Sequence, residues 1–140
     1  MEIDIWITLF GGFSASVVWF IVGGALYQNP FVAKIYKDAE GSPGLKKWTN
    51  IPKYLALQYF GILVQCILWA FVFAFIKPVL FEGILLNTLF FGLILIAIKI
   101  IPRAIDMWIQ STYPNKLLAV EFINGAIGSF VIAAAISFII

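Results

Sequence analysis

The sequence predicts an all-α membrane protein, with four transmembrane helices in an antiparallel bundle and both termini on the non-cytoplasmic side. Three observations carry this. Of 140 residues, 63% are hydrophobic and only 11% charged, with a mean hydropathy of +1.03, whereas a soluble domain is about 45–50% apolar and about 25% charged. The apolar residues fall in four continuous runs, not in the alternating ~10-residue segments of a barrel, so each run satisfies its backbone as a helix. Lys and Arg also crowd to one side of those runs. The length fits one domain of four ~20-residue spans with short connections.

The first run lies between Asp4 and Lys34 without a charge, and the helix is placed at about 5–27. Asn29-Pro30 ends it, because a residue before proline is pushed out of helical geometry. The acidic flank and the length of the run mark a retained span, not a cleaved leader. Positions 28–53 form the most charged loop, with Gly41-Ser42-Pro43-Gly44 as a turn. Within it, Phe31–Ala39 reads as a short interfacial helix with Phe31, Ile35 and Tyr36 toward lipid. The second span covers about 54–76 and is bracketed by Lys53 and Lys77. The short connection Lys77–Glu82 makes it a hairpin with the third, at about 83–101, where Pro102 should kink or end the helix. The fourth, at about 117–140, follows Tyr113-Pro114-Asn115 and contains one charge, Glu121.

Orientation follows from the loops. Lys34, Lys37, Lys46, Lys47, Lys53, Lys99, Arg103 and Lys116 lie on the side of the two longer connections, and Lys77 alone lies opposite. That bias places the longer connections in the cytoplasm and implies a multi-pass protein of a bacterial inner membrane. A net charge of +2 spread between apolar runs is no nucleic-acid footprint. With no histidine and one cysteine, Cys66, there is neither a His-based metal site nor an internal disulfide. Gly11-Gly12 is no phosphate loop, since no Lys-Ser/Thr follows, and no cofactor is expected.

Polar residues within the spans are the candidates for function, because a charge in hydrocarbon is costly. At ~1.5 Å per residue, Lys99 lies ~24 Å into the third span, near its cytoplasmic boundary. Glu121 is about one turn into the fourth span, Asn124 about two, and Gln58 is at a similar level in the second. Lys99, Arg103, Asp106 and Gln110 share a face, as do Gln58 and Gln65. The functional reading is a polar pocket open to the cytoplasm, lined by Glu121, Arg103, Lys99, Gln58, Gln65, Asn124 and Asp106, with Glu121 paired to Arg103 or, second, Lys99. The plainer reading has Lys99 snorkelling, Arg103 on lipid phosphate and Glu121 as a structural partner.

Small residues mark close helix packing. Gly12 and Ser16 in the first span, and Gly125, Ser129 and Ala133 in the fourth, stand at steps of four. Packing within the chain is the default, and a homo-oligomer seam is the alternative. Trp6, Trp48, Trp108, Tyr27, Tyr54 and Tyr113 fall at the expected interfaces, as an aromatic belt.

The run Gly23-Gly24-Ala25-Leu26-Tyr27-Gln28-Asn29-Pro30, the basic loop and the last span opening after Tyr113-Pro114 resemble a bacterial family of small four-helix membrane proteins with no assigned function. The resemblance covers most of the chain by layout. It implies the four-span fold and no activity. Small multidrug exporters carry a glutamate in their first span, which is uncharged here. Membrane-bound eicosanoid and glutathione enzymes carry an Arg- and Asn-rich cytoplasmic signature, also missing here.

Three functions remain open from the sequence. The first is a small transporter or channel-like protein for a small molecule or ion, built on the polar pocket. The second is a structural or lipid-binding protein acting through self-association or partners, built on the glycine rows and basic loop. The third, less favoured, is an intramembrane enzyme using Glu121 and Asp106, with Cys66 as nucleophile. The expected partners are membrane lipid, an unidentified small molecule or ion, and a second copy of the chain.

Overall fold

The computed structural model describes residues 3–140, and among them every regular element is helical. In chain order these are α1 (Ile5–Gln28), α2 (Pro30–Asp38), α3 (Ile51–Ile76), α4 (Ile84–Leu95), α5 (Ile101–Gln110) and α6 (Asn115–Ile139). A 3₁₀ turn at Lys77–Val79 extends α3, and a π turn at Ile96–Ile100 joins α4 to α5. This makes four helices long and apolar enough to cross a membrane: Ile5–Gln28, Ile51–Val79, Ile84–Gln110 and Asn115–Ile139. Their outer faces carry large apolar side chains in the open, such as Phe60 at 63%, Leu85 at 72% and Phe138 at 78% exposure. A helix apolar on all sides calls for lipid around it. The chain is a small multi-pass membrane protein.

Capping fixes the helix ends. The Asp4 carboxylate accepts the backbone N–H groups of Trp6 and Ile7 at 3.0 and 3.1 Å, satisfying two orphan donors of α1. Asn29 serves two helices. Its side-chain amide donates to the Leu26 carbonyl at the end of α1, and its Oδ1 accepts from Val32 N–H at the start of α2. Pro30 then occupies the first turn of α2, where a missing N–H costs nothing. Asn50 caps α3 in the same way, accepting from Lys53 N–H. The second span therefore starts at Ile51, not Tyr54. Gly83 holds φ at 110° ahead of α4, a conformation that suits glycine.

Pro102 neither ends the third span nor stops it at position 101. Proline lacks an N–H and its ring crowds the carbonyl four residues earlier. The chain absorbs this with the wide turn at Ile96–Ile100, in which Ile101 N–H donates to the Ile96 carbonyl, and the helix runs on to Gln110. The loop to α6 shrinks to positions 111–114.

The helices pack as α3 on α1, α1 on α6 and α6 on α4. Glycines set the close approaches. A Cβ at Gly12 would stand 2.7 Å from Ile67 Cα, and one at Gly128 2.5 Å from the Trp19 ring. Gly92 lies under the Phe130 ring, and Gly125 against Ile100. Ser16, Ser129 and Ala133 are fully buried between helices. Ser129 and Ser16 return their hydroxyls to the carbonyls of Gly125 and Phe13, so these polar groups stay satisfied in an apolar setting. The core gathers Ala15, Cys66, Ala70, Phe73, Phe91, Leu95, Ile132, Ala133 and Ile136. There Phe73 of α3 meets Phe91 of α4 edge to face, with ring centroids 5.0 Å apart. At the same end, Lys77 donates to the Ile140 carbonyl. Between α3 and the α5 half of the third span there is no comparable seam, and that gap opens the site.

Candidate functional site

The gap is a cavity of about 780 Å³ in the half of the molecule that carries the basic loop. α1 contributes Trp19, Phe20, Gly23, Gly24 and Tyr27 to one wall, and α3 contributes Gln58, Ile62 and Gln65 to another. Lys99, Arg103 and Met107 come from the third span, and Glu121 and Gly125 from α6. Tyr36 of α2, Gly44, Leu45, Lys46 and Trp48 of the loop, and Tyr113 line the loop end. Gly44 rests directly on the 111–114 connection: a Cβ there would lie 2.8 Å from Tyr113 Cα. The loop is thus a roof. The buried core closes the opposite end, which leaves the side between α3 and α5.

Glu121 is fixed by two phenols. Tyr27 donates to Oε2 at 3.1 Å and Tyr36 to Oε1 at 2.5 Å. The two rings meet edge to face at 6.0 Å. Hydrogen bonds to an ionised acceptor are shorter and stronger than neutral ones, so this cluster pins α2 to α6. Burial first, then the bond to Glu121 and its charge, pushes the Tyr36 hydroxyl well above its ordinary value. Burial likewise raises that of Tyr113. Both phenols therefore keep their protons at neutral pH, and that of Tyr36 is the one donated to Oε1.

Two sequence expectations are corrected here. Glu121 forms no ion pair with Arg103 or Lys99: among the described residues, the pair of Lys47 and Glu40 at 4.0 Å is the only one. Shared depth put these groups at one level, but both carboxylate oxygens point at phenols. Tyr36 turns inward for the same reason, instead of facing lipid with Phe31, which is 75% exposed.

Of the sequence candidates, the cavity brings together Glu121, Arg103, Lys99, Gln58 and Gln65. It does not include Asn124, which is 5% exposed and turned into the helix packing, its Nδ2 without a partner. Nor does it include Asp106, which lies on an exposed face of α5. Glu121 and Asp106 thus share no site, and the thiol of Cys66 is fully buried in the core. An acid–base pair with a cysteine nucleophile has no geometry here.

Sequence reasoning missed Tyr27, Tyr36, Tyr113, Trp48 and Lys46. Belt logic names Tyr27, Tyr113 and Trp48 as interfacial rings without saying what they line; Trp48 meets Tyr54 in a tilted pair at 5.5 Å and lies 4.5 Å beneath the Lys46 ammonium. The usable signal was Asn29-Pro30. A sharp break between α1 and α2 folds the chain back and brings Tyr27 and Tyr36 to one point. Comparison with family models, curated proteins and solved structures returns no match for this chain.

Proposed function

We propose that this chain is a carrier-type protein of the bacterial inner membrane, which binds a small molecule in the cleft between α3 and α5. One observation carries the reading. An otherwise lipid-facing molecule keeps a cavity of about 780 Å³ lined by three glutamines, three cations, a carboxylate and phenols, a size and mixed lining suited to a small organic ligand. A channel is disfavoured, because fully buried Phe73, Phe91, Leu95 and Ile136 fill the far end. Self-association through the glycine rows is disfavoured too, since Gly12, Gly92, Gly125 and Gly128 already receive side chains or backbone from this same chain.

Gly24 offers the test. It lines the cavity, and a Cβ there would meet nothing within 4 Å. Gly24→Phe should fold normally and fill the cleft. Mass spectrometry of extracts from purified wild-type protein should then show a compound that the variant lacks. Identical extracts from two equally folded proteins would refute binding in the cleft.

In this reading the bundle is antiparallel and the basic loop is cytoplasmic. The register supports it: Gly12 of α1 meets Ile67 of α3, while Ser16 meets Tyr59. The eight-to-one division of Lys and Arg supports the sidedness. Single cysteines at Gly41 and Glu82, in a Cys66→Ala background, should react with a membrane-impermeant maleimide only at position 82 in intact cells. Labelling at 41 would invert the topology.

A further inference from the structure

The cleft carries more positive charge than it can neutralise. Three cations line it, Lys46, Lys99 and Arg103, against one carboxylate, Glu121. That carboxylate has given both oxygens to Tyr27 and Tyr36. Lys46 lies over the Trp48 ring. Lys99 and Arg103 stand four residues apart across the π turn, and among the described residues neither makes an ion pair or a side-chain hydrogen bond. Lys99 is half-buried and Arg103 opens to the outside of the cleft, and cations in excess of carboxylates at the level of a membrane are costly, a cost that an oxyanion relieves. A guanidinium beside an ammonium suits phosphate or carboxylate oxygens.

The shape adds the second half. The loop roofs the cavity at Gly44–Tyr113 and the core seals its far end, while α3 and α5 leave the lateral side unseamed. The walls above the cations are apolar, formed by Trp19, Phe20 and Ile62. A ligand entering sideways comes from the bilayer and brings a hydrocarbon part.

We infer that the cleft takes an anionic amphiphile, its oxyanion head on Lys99 and Arg103 and its apolar chain leaving between α3 and α5. This rests on the cleft being a binding site, as proposed above. Tyr27 and Tyr36 serve the same end, because they occupy both Glu121 oxygens, and neither Lys99 nor Arg103 is ion-paired to that carboxylate.

The test uses the full chain in neutral detergent, with native mass spectrometry against dioleoyl phosphatidic acid. Dioleoylglycerol and sn-glycerol 3-phosphate supply the tail and the head separately. Phosphatidic acid should bind with unit stoichiometry, and each fragment should bind at least about tenfold more weakly, the loss expected when a charge-assisted contact or the apolar part is removed. Lys99→Gln and Arg103→Gln should each weaken phosphatidic acid by about tenfold or more. Each should also melt no lower than wild type without lipid, since an unpaired cation is removed. Equal binding of dioleoylglycerol, or indifference to both charge variants, would overturn the anionic head. Equal binding of glycerol 3-phosphate would overturn lateral entry. Gly24→Phe separates the two levels. If it abolishes binding while the charge variants do nothing, the cleft stands and the anion falls. If phosphatidic acid binds undiminished to Gly24→Phe, the cleft itself is not the site.

Discussion

Glu121→Leu is expected to free α2 from the bundle and to destabilise the protein by about 3 kcal/mol, since two phenols lose a charged acceptor worth roughly 1.5–3 kcal/mol each and relax only in part. Tyr27 and Tyr36 approach from α1 and α2, and the carboxylate of α6 is what brings them together. Glu121→Gln keeps one acceptor oxygen and should fall between. Tyr27→Phe and Tyr36→Phe should each account for part of the loss, and a double-mutant cycle with Glu121→Leu should return a coupling of about 1 kcal/mol or more for each pair. Thermal unfolding in detergent reads the stability. Tryptic cleavage after Lys34 or Lys37, which lie on α2, reads its release. Unchanged melting and unchanged cleavage in Glu121→Leu would mean that the basic loop is held by something other than this cluster.

Gly12→Leu should be the most damaging single substitution in the bundle. The first carbon of any side chain at position 12 would stand 2.7 Å from Ile67 Cα and 3.1 Å from the Cys66 carbonyl. Backbone cannot swing aside as a side chain can. α1 and α3 would have to separate along a seam that also holds Ser16 and Tyr59. Gly12→Ala alone should cost about 1–3 kcal/mol by overpacking, and Gly12→Leu should leave no monodisperse folded protein by size exclusion. Gly125→Ala is the contrasting case, since its obstacle is the tip of Ile100 and a rotamer change makes room. Gly61→Ala should be neutral or stabilising by up to about 1 kcal/mol, because nothing lies within 4 Å and alanine is the better helix former. Equal melting temperatures for Gly12→Leu and wild type would refute the close approach of α1 and α3.

Hydropathy made the four spans legible, because bilayer thickness sets a length that a sequence must display openly. Caps are local too, since Asp4, Asn29 and Asn50 act within three residues of themselves, but hydropathy alone passes over them and starts the second span at Tyr54 where Asn50 starts it at Ile51. Orientation of side chains was not. Depth along a span placed Lys99, Arg103, Glu121, Gln58 and Asn124 in one layer, and most of them do line one cavity. Rotation about each helix decided the rest. Asn124 is only three residues from Glu121, yet it faces packed helices while Glu121 faces the cleft. The carboxylate's partners came from α1 and α2, far away in sequence, while its expected partner lay on the adjacent span. An electrostatic guess favours the strongest countercharge at the same level. The fold instead places a phenol on each oxygen.

The wide turn at Ile96–Ile100 sets the phase of the third span. Each residue of an α-helix advances the azimuth by ~100°, so one surplus residue within a turn resets the bearing of everything after it. α4 is keyed to α6 through Gly92 under Phe130 and to the core through Phe91 and Leu95, and α5 presents Arg103 to the cleft. An uninterrupted winding would satisfy one of these bearings at the expense of the other. The loosened turn also divides the span. α4 ends in the packed core and α5 begins at the cleft, so the lateral opening is bounded by a half of the span that the core residues do not include.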